Sequence, residues 1–365
     1  MKVDTVVGLA YGDEGKGKVT HHLLRTGRYD YCVRYNGGCN AGHTIFHNER
    51  KFVTHHIPAG VFFGVKSIIG SGCVVRVKQF YDEIRQLERF GIKTKGLVFI
   101  AENAHIITDD NVNEDAIESE LGTTKRGNGP CYRDKYARVG KRASDSERLR
   151  SDGYLLDLYK EFYSQEEDIR ILCEGAQGFG LDIDWGDYPY VTSSHCTTAS
   201  ACLNAVPPQA IRTVYGVTKA YDTYVGTKDF QPNDEIFNAL RVIGEEYGAT
   251  TGRPRQCNWL DLDLLKKAIN INGSNTVIIN KVDILRKLGK FAVRIGSQPD
   301  APVLEFSSEK TWKEYIQSEL SDLNSNYINV IFSESPKEIY FLQRLTTLLL
   351  KKKRQQAKQA LLQKA

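Results

Sequence analysis

Short apolar runs recur along the chain, and several of them are separated by stretches whose apolar residues follow a helical period. Eight runs predict buried β-strands, at residues 3–10, 31–35, 65–69, 97–101, 169–173, 211–217, 276–279 and 327–332. Helical patterns cover residues 77–90, 145–166, 260–271 and 309–320, and a further helix is expected after the first strand, ending near residue 25. Strands that alternate with helices favour an α/β fold with a central, mostly parallel β-sheet surrounded by helices.

Residues 1–334 contain no internal repeat and no low-complexity linker, and we expect them to form a single domain with elaborations. Two polar stretches within them, residues 119–142 and 219–235, are predicted to be long functional loops. Residues 335–365 differ, because apolar positions at helical spacing are followed by the basic run 351–354. They predict a C-terminal basic helical tail, which we interpret as a solvated helix rather than as a contact with a membrane surface or a nucleic acid.

The composition argues against several classes of protein. Lys plus Arg total 49 against 45 Asp plus Glu in 365 residues, and the net charge of +4 is too small to indicate a nucleic-acid partner. No apolar run approaches the roughly 18 residues that a membrane-spanning helix needs, and the amino terminus lacks the apolar segment of a secretory signal. The eight cysteines are scattered without a C-x-x-C pair, which predicts reduced thiols in a cytoplasmic protein and disfavours structural zinc.

The most informative segment is Gly12-Asp13-Glu14-Gly15-Lys16-Gly17-Lys18, between the first predicted strand and the first predicted helix. It nearly matches the phosphate-loop pattern G-x-x-x-x-G-K-[ST], but Val19 replaces the hydroxyl residue that normally helps to hold Mg²⁺. The glycines allow backbone amides to converge on an anion, and the helix dipole and Lys16 or Lys18 add positive charge. Asp13 inside such a loop indicates a metal ligand or a proton-transfer group, although a Gly-rich turn without a ligand is the alternative.

A second nucleotide signature, Asn280-Lys281-Val282-Asp283, follows the predicted strand at 276–279 and matches the N-K-x-D pattern of GTPases. The carboxylate of Asp283 can accept hydrogen bonds from the ring N–H and the exocyclic amine of guanine, and the stem of Lys281 can lie along the base. Four residues alone also fit a strand end with a salt-bridged Lys/Asp pair. Together with the phosphate loop, however, they predict a nucleoside triphosphate site.

Further segments carry polar groups suited to a phosphomonoester, a carboxylate or a base. His43 ends a Gly-rich turn and is a candidate general acid near phosphate, although a lone histidine is more often structural. Residues 120–138 and 250–255 combine hydroxyls with arginines, which suit phosphate and carboxylate groups. A solvated basic loop is the alternative for the first of these segments. Gln177 and Thr192 follow strand-like runs, where their side chains could contact a base or a phosphate.

In chain order, these segments resemble the adenylosuccinate synthetase family, whose members join aspartate to IMP using GTP. The matching stretches are G-D-E-G-K-G-K at 12–18, N-A-G-H-T at 40–44, G-T-T-x-R-G at 122–127, E-G-A-Q-G at 174–178, Y-P-Y-V-T-S-S at 188–194, A-T-T-G-R at 249–253 and K-x-D at 281–283. The resemblance implies the P-loop-NTPase-like fold of that family, a homodimer, small-molecule substrates, and no nucleic-acid or membrane partner. Mg²⁺ is the implied cofactor and GTP the implied co-substrate.

The resemblance also assigns roles to individual residues. Asp13 takes the N1 proton of the purine and binds Mg²⁺ together with the Gly42 carbonyl, while Lys16 completes the catalytic set. The purine 6-oxygen attacks the γ-phosphate of GTP, His43 stabilises or protonates the transferred phosphate, and the amine of aspartate then displaces phosphate. The implied binding residues are Asn40, Thr124, Arg138 (contributed across the dimer), Gln177, Thr192 and Arg253 for the purine monophosphate; Thr250, Thr251 and Arg253 for aspartate; and Gly12, Glu14, Gly15, Lys16, Gly17, Lys18, Arg255, Lys281, Asp283 and Ser333 for GTP.

The chain departs from the common pattern of the family in ways that bear on its substrate. The stretches 138–174 and 283–333 are short, as in archaeal and phage-encoded members. Several residues also differ: Cys39 stands for His, Lys125 for Gly, Tyr224 for Arg, and 333–336 reads S-E-S-P where the family has S-T-G-P beside the guanine. A viral branch of the family uses dGMP instead of IMP and often replaces the loop aspartate. If this chain belonged to that branch, its triphosphate could be ATP or dATP instead of GTP. Because Asp13 is kept, we favour IMP over dGMP.

A hypothesis from another class is a non-catalytic GTP-binding regulatory protein, which the phosphate loop and the N-K-x-D segment would suit. Val19 argues against it, because a switch GTPase needs the Mg²⁺-binding hydroxyl at that position. The loops rich in Arg and Thr would also have no role in a switch. The expected function is therefore a ligase of purine nucleotide biosynthesis.

Overall fold

The computed structural model describes residues 1–25, 27–40, 42–117, 122–248, 252–321, 323 and 328–335. The predicted C-terminal tail lies outside these residues beyond Ser335, as do Thr250 and Thr251. Within the described part of the chain, no helix is both long enough and apolar enough to cross a membrane. All eight cysteines are free thiols, and seven of them are buried.

The described residues form helices and strands that alternate along most of the chain. The helices are α1 (Lys16–Leu24), α2 (Val77–Arg89), α3 (Asp109–Ile117), α4 (Asn128–Ala137), α5 (Glu147–Ser151), α6 (Leu158–Tyr163), α7 (Glu235–Ile243), α8 (Leu262–Asn272), α9 (Val282–Leu288) and α10 (Glu309–Leu320). The strands are β1 (Lys2–Gly8), β2 (Tyr31–Arg34), β3 (His43–His47), β4 (Arg50–Thr54), β5 (Lys66–Ile69), β6 (Val74–Val75), β7 (Val98–Ala101), β8 (His105–Ile106), β9 (Leu155–Leu156), β10 (Arg170–Glu174), β11 (Ile211–Lys219), β12 (Tyr221–Tyr224), β13 (Gln256–Asp261), β14 (Thr276–Asn280), β15 (Phe291–Arg294), β16 (Val303–Phe306) and β17 (Asn329–Phe332).

Nine strands form the main sheet in the order β17-β14-β11-β1-β10-β2-β5-β7-β9, and every neighbouring pair is parallel. Eight of the nine are the strands predicted from the apolar runs, so the predicted α/β class and the predicted parallel sheet are confirmed. A parallel sheet covered by helices buries its strands on both faces, which requires continuous apolar runs rather than alternation. Every residue of β2 and of β14 is buried accordingly.

The single helix predicted over 145–166 is wrong. This segment forms α5, the short strand β9 and α6, and β9 adds the ninth strand of the main sheet beside β7. Ser146 caps α5 by accepting the Leu149 N–H, and Asp157 caps α6. Gly153 takes a φ of 76° between the two helices. Two helix starts and a left-handed glycine therefore divide a segment whose apolar spacing alone suggested one helix.

The two predicted long loops are partly regular. Residues 119–142 contain α4, and residues 219–235 contain β12 and the first residue of α7. β12 belongs to a second sheet of mixed direction, in the order β12-β13-β15-β16, which the apolar pattern did not predict. The hairpin β3–β4 was not predicted either. The helix predicted over 260–271 starts two residues later than expected. Residues 260 and 261 are the last residues of β13, and Asp261 is also the N-cap of α8.

The carboxyl ends of the parallel strands lie at one edge of the main sheet, and this edge positions the candidate site. β1 leads into the phosphate loop, β10 into residues 175–178, and β14 into the N-K-V-D segment. β1 lies between β10 and β11 in the sheet, and β14 is the next strand beyond β11. The polar segments that follow these strands therefore meet in space, at the crevice where open α/β sheets bind their ligands.

Candidate active site

A cavity of about 1180 Å³ opens at this edge of the sheet. It is larger than the roughly 300–1,000 Å³ of a typical single-ligand site, so it has room for more than one substrate. The predicted site residues that line it are Gly12, Asp13, Glu14, Gly15, Lys16, Gly17, Lys18, Asn40, Gly42, His43, Thr124, Gln177, Thr192, Arg253, Arg255, Lys281 and Asp283. Arg138 and Ser333 do not line the cavity, and the predicted aspartate-binding residues Thr250 and Thr251 lie outside the described residues.

The phosphate loop is built around a buried acid. Glu14 is buried, and one of its carboxylate oxygens accepts the Gly12 N–H at 2.8 Å while the other lies 2.6 Å from Lys16 Nζ. Gly12, Asp13 and Gly15 take φ values of 90°, 59° and 96°, in the left-handed region that glycine enters most easily and aspartate tolerates. The loop thereby brings its backbone and the N-terminus of α1 to the cavity wall, an arrangement that favours an anion.

The two nucleotide signatures are joined by a direct hydrogen bond. Asn280 Nδ2 donates to the carbonyl oxygen of Glu14 at 2.7 Å. A Cβ atom on Gly15 would lie 2.9 Å from this nitrogen, so glycine is required there by the contact as well as by its φ. The end of β14 therefore fixes the position of the phosphate loop, which a sequence comparison of the two motifs alone does not reveal.

Lys18 makes a second link between the phosphate loop and a distant strand. Its Nζ donates to Ser333 Oγ and to the carbonyl oxygen of Ser335, both at 2.9 Å. Burial lowers the pKa of Lys18 to about 8, against the opposite effect of the nearby Asp283 carboxylate. Ser333 itself contacts Lys18 but does not line the cavity.

Asp13 presents its carboxylate to the cavity, with 39% of the side chain exposed. One of its oxygens lies 2.9 Å from a terminal nitrogen of Arg255. Gly42 lines the same cavity. A carboxylate and a backbone carbonyl are the hard oxygen donors that Mg²⁺ prefers, so the chemistry of these two groups fits the predicted cofactor.

A separate cluster of Asp182, Asp184 and His195 could offer three ligand atoms to a metal within the described part of the chain. The carboxylate of buried Asp182 already accepts backbone N–H bonds from Asp184, Trp185 and Cys196. These bonds tie the two ends of the 182–196 loop together. We therefore interpret Asp182 as a structural anchor rather than as a metal ligand.

His43 lies in a buried group of charged side chains at the cavity wall. Its Nδ1 contacts Glu174 Oε1 and lies 3.0 Å from a terminal nitrogen of Arg34. The other oxygen of Glu174 accepts the Ala59 N–H at 2.9 Å. Burial and the charge of Arg34 lower the pKa of His43 to about 4, although Glu174 acts in the opposite direction. Without a ligand His43 is therefore neutral at pH 7, and we assign its ring proton to Nδ1, because the carboxylate of Glu174 can only accept there.

Two of the predicted purine-monophosphate residues, Gln177 and Asn40, are in direct contact, and Gln177 takes a φ of 56°. Gln177 Nε2 donates to Asn40 Oδ1 at 2.9 Å, while its buried Oε1 has no hydrogen-bond partner among the described residues. Asn128, the first residue of α4, likewise has a buried Nδ2 without a partner in this part of the chain. Both side chains line the cavity, so each retains hydrogen-bonding capacity for a ligand. Asn128 was not predicted from the sequence.

The two predicted arginines of the monophosphate site lie in different environments. Arg253 lines the cavity, and one of its terminal nitrogens lies 3.4 Å from the Gly122 carbonyl oxygen. Arg138 is the C-cap of α4 with a φ of 65°, is exposed, and does not line the cavity. One chain alone therefore does not bring Arg138 to the site, and its contribution across a dimer stays a prediction.

Sequence reasoning missed a buried charge cluster behind the cavity wall. Fully buried Glu246 contacts Lys219, Arg255, Lys281 and the hydroxyl of Tyr221. Burial favours the neutral acid, but the three cations outweigh it and hold the pKa of Glu246 well below its usual range. Burial also lowers the pKa of Lys219, which Glu246 opposes. No motif surrounds Glu246, so the sequence offered no signal for it.

Comparison with known proteins gives consistent results for sequence and structure. The sequence model of the family described as adenylosuccinate synthetase matches residues 5–152 and 149–325. The chain is 36% identical to adenylosuccinate synthetase of Helicobacter acinonychis over an alignment of 395 residues, which covers 91% of this chain and 95% of that protein. The fully ligated adenylosuccinate synthetase from Plasmodium falciparum superposes with a TM-score of 0.80 at 27% identity, over 92% of this chain and 98% of that chain.

A phage enzyme shares the fold more distantly. The succinoaminodeoxyadenylate synthetase of cyanophage S-2L, bound to dGMP and dATP, superposes with a TM-score of 0.65 at 20% identity, over 87% of this chain and 98% of that chain. The family match, in contrast, covers most of this chain, and the bacterial relative is matched over almost its whole length. The chain therefore belongs to the adenylosuccinate synthetase family of C–N bond-forming ligases.

Proposed function

We propose that this chain catalyses the GTP-dependent ligation of L-aspartate to IMP, forming adenylosuccinate, GDP and phosphate through a 6-phosphoryl intermediate. The observation that carries the proposal is the position of Asp13. Its carboxylate lies inside a phosphate loop and faces a cavity large enough for several substrates. A base at that position can act on a purine whose 6-oxygen stands next to the γ-phosphate of GTP.

The proposed reaction has two steps. Asp13 removes the N1 proton, and the electron pair moves to the 6-oxygen, which attacks the γ-phosphorus and releases GDP. The amine of aspartate then adds at C6, loses a proton, and expels the phosphate together with the former 6-oxygen. Phosphoryl transfer of this kind depends on positioned charge rather than on a nucleophilic side chain. The proposed mechanism accordingly assigns no side chain as a nucleophile.

His43 is the proposed proton donor at the transferred phosphate. Without ligand the ring is neutral, with Nδ1 held by the carboxylate of Glu174. Phosphate charge that enters the cavity favours the imidazolium form, because an opposite charge nearby stabilises the charged state. His43 then donates from Nε2 while Glu174 stabilises the proton that remains on Nδ1.

The charge of the cavity supports an anionic co-substrate. Lys16, Lys18, Lys219, Arg255 and Lys281 all line its wall. Several cations in one cleft raise the local concentration of a triphosphate and neutralise charge as the γ-phosphate is transferred. We place the guanine at Lys281 and Asp283, and the aspartate substrate at Arg253 with Thr250 and Thr251.

Asp13 and the carbonyl of Gly42 would hold the Mg²⁺ ion that the family implies. Bound there, the ion would supply positive charge to the phosphate oxygens.

We further propose a homodimer, since Arg138 is exposed away from the cavity of its own chain. The eight free thiols support a cytoplasmic location.

The test is product formation by the purified protein with Mg²⁺, GTP and aspartate. With IMP, we expect a succinylated nucleotide in amounts equal to the GDP and phosphate released, measured by chromatography and mass spectrometry. Parallel reactions contain dGMP in place of IMP, and ATP or dATP in place of GTP. A product from dGMP but not from IMP would assign the chain to the 2-aminoadenine-forming activity. GTP hydrolysis without any succinylated product would contradict the ligase assignment.

A further inference from the structure

A buried carboxylate outside the predicted site connects the two ends of the nucleotide cavity. Glu246 follows α7 and is fully buried. Its Oε1 lies 3.0 Å from Lys281 Nζ and accepts the Tyr221 hydroxyl at 2.6 Å. Its Oε2 pairs with a terminal nitrogen of Arg255 and lies 3.4 Å from Lys219 Nζ. Both oxygens are therefore fully used by neighbouring donors.

Arg255 extends this cluster to the phosphate loop. One terminal nitrogen of its guanidinium holds Glu246, and the other lies 2.9 Å from the carboxylate of Asp13. The backbone N–H of Arg255 also donates to the carbonyl oxygen of Glu246 at 3.0 Å, so the two residues are fixed to each other twice. A continuous chain of ion pairs consequently runs from Lys281 through Glu246 and Arg255 to Asp13.

The planar guanidinium of Arg255 couples the position of Glu246 to that of Asp13. Its donors form a rigid fork, so an anchor on one terminal nitrogen sets the direction of the other. Glu246 is also the shared counter-charge for the buried Lys219 and Arg255 and for the partly exposed Lys281, and without it these cations would repel one another and lose part of what fixes their positions. Its removal should therefore disturb both Arg255 at the phosphate loop and Lys281 at the guanine site.

We propose that Glu246 is a positioning residue that fixes Arg255 against Asp13 and Lys281 in the guanine site, so that proton transfer and GTP binding share one buried anchor. The inference rests on the proposed function. Loss of Glu246 should have two distinct effects: a lower kcat, because Arg255 and Asp13 are displaced, and weaker GTP binding, because Lys281 is displaced. The IMP site, built around Gln177 and Asn40, should be unaffected.

The first experiment is Glu246→Gln, which keeps the volume of the side chain but loses its charge and one acceptor oxygen. We expect kcat to fall about 10- to 100-fold, the range seen when a residue that supports a metal ligand is removed, because Asp13 is the proposed Mg²⁺ ligand. The KM for GTP should rise several-fold and that for IMP should change less than about twofold. Glu246→Asp keeps the charge and should restore part of kcat. Glu314→Gln removes an exposed acid on α10 and is the matched control.

A double-mutant cycle with Arg255→Ala then tests how Glu246 acts. If Glu246 acts through Arg255, Glu246→Gln should lower kcat no further in the Arg255→Ala background. Independent, multiplying effects of the two changes would overturn the inference, as would a variant with a lower Tm but unchanged kcat and GTP affinity. If Glu246→Gln does not fold, the charge-preserving Glu246→Asp is judged by the same split between kcat and the two KM values.

The two proposals fail in different ways. An inactive wild-type protein would overturn the proposed function, while calorimetric GTP affinity of the wild type and of Glu246→Gln would still decide whether Glu246 fixes the guanine site. An active wild type with equal kcat and equal GTP affinity in Glu246→Gln would overturn this inference alone.

Discussion

Replacement of Asp13 by asparagine is expected to reduce kcat on the order of 10³-fold while the nucleotides still bind, because the amide cannot accept the N1 proton of the purine. Asparagine preserves the size of the side chain and tolerates the left-handed φ of 59° at this position. The loss of the carboxylate also removes one of the two counter-charges of Arg255, while Glu246 remains, so the GTP affinity should change moderately rather than disappear. Steady-state turnover and calorimetric binding of GTP and IMP measure the two effects separately.

The matched control is Asp263→Asn, an exposed aspartate in the first turn of α8, which should keep the wild-type kcat. Turnover in Asp13→Asn within about threefold of the wild type would remove Asp13 from the mechanism. Loss of both nucleotide binding and folding, seen as a large fall in Tm, would instead show that Asp13 mainly shapes the loop. Only a low kcat with retained nucleotide binding agrees with Asp13 as the base.

Replacement of His43 by asparagine is expected to lower kcat by roughly 10²- to 10³-fold, the scale of one positioned general acid. The KM values should change little, because the phosphate loop and the cation-lined wall remain. The change also leaves Glu174 and Arg34 without the imidazole between them, so the thermal stability should fall. Initial rates at saturating substrate, measured together with Tm, separate the catalytic loss from the structural one.

His195→Asn provides the control for His43. His195 also faces a carboxylate, with Nδ1 3.3 Å from Asp184, but it does not line the cavity. Its replacement should leave kcat unchanged. A His43 variant with near wild-type kcat would show that the Glu174–His43 pair serves stability alone.

The main sheet could be predicted because the residues of each strand are themselves enough to show that the strand is buried. Parallel strands covered by helices must be apolar along their whole length, and an apolar run such as 276–279 therefore indicates a buried strand. The strand β9 gave no such signal, since two residues are too few to show a pattern. The second sheet also escaped prediction, because buried polar residues interrupt the apolar pattern of β12, β13 and β15. Asp222 and Asn258, which face each other across β12 and β13, are both buried.

The candidate site could be predicted where a short motif carries the chemistry. The phosphate loop, His43 and the N-K-V-D segment all line one cavity, which agrees with their prediction as parts of one nucleotide site. The residues that hold them in place could not be assigned in this way. Asn280 and Glu174 stood inside recognised motifs, but their contacts with the phosphate loop and with His43 depend on which strands are neighbours in the sheet. Glu246 belongs to no motif, and only the fold reveals that it joins Arg255 to Lys281.

In the proposed mechanism, the 6-oxygen of IMP attacks the γ-phosphate of GTP. The most direct measurement uses IMP labelled with ¹⁸O at the 6-position and follows the label by mass spectrometry of the released phosphate. We expect one ¹⁸O atom in the phosphate for each adenylosuccinate formed, because the bond between that oxygen and C6 breaks only after the oxygen has joined phosphorus. Adenylosuccinate formation with unlabelled phosphate, and with the label lost to water, would contradict it.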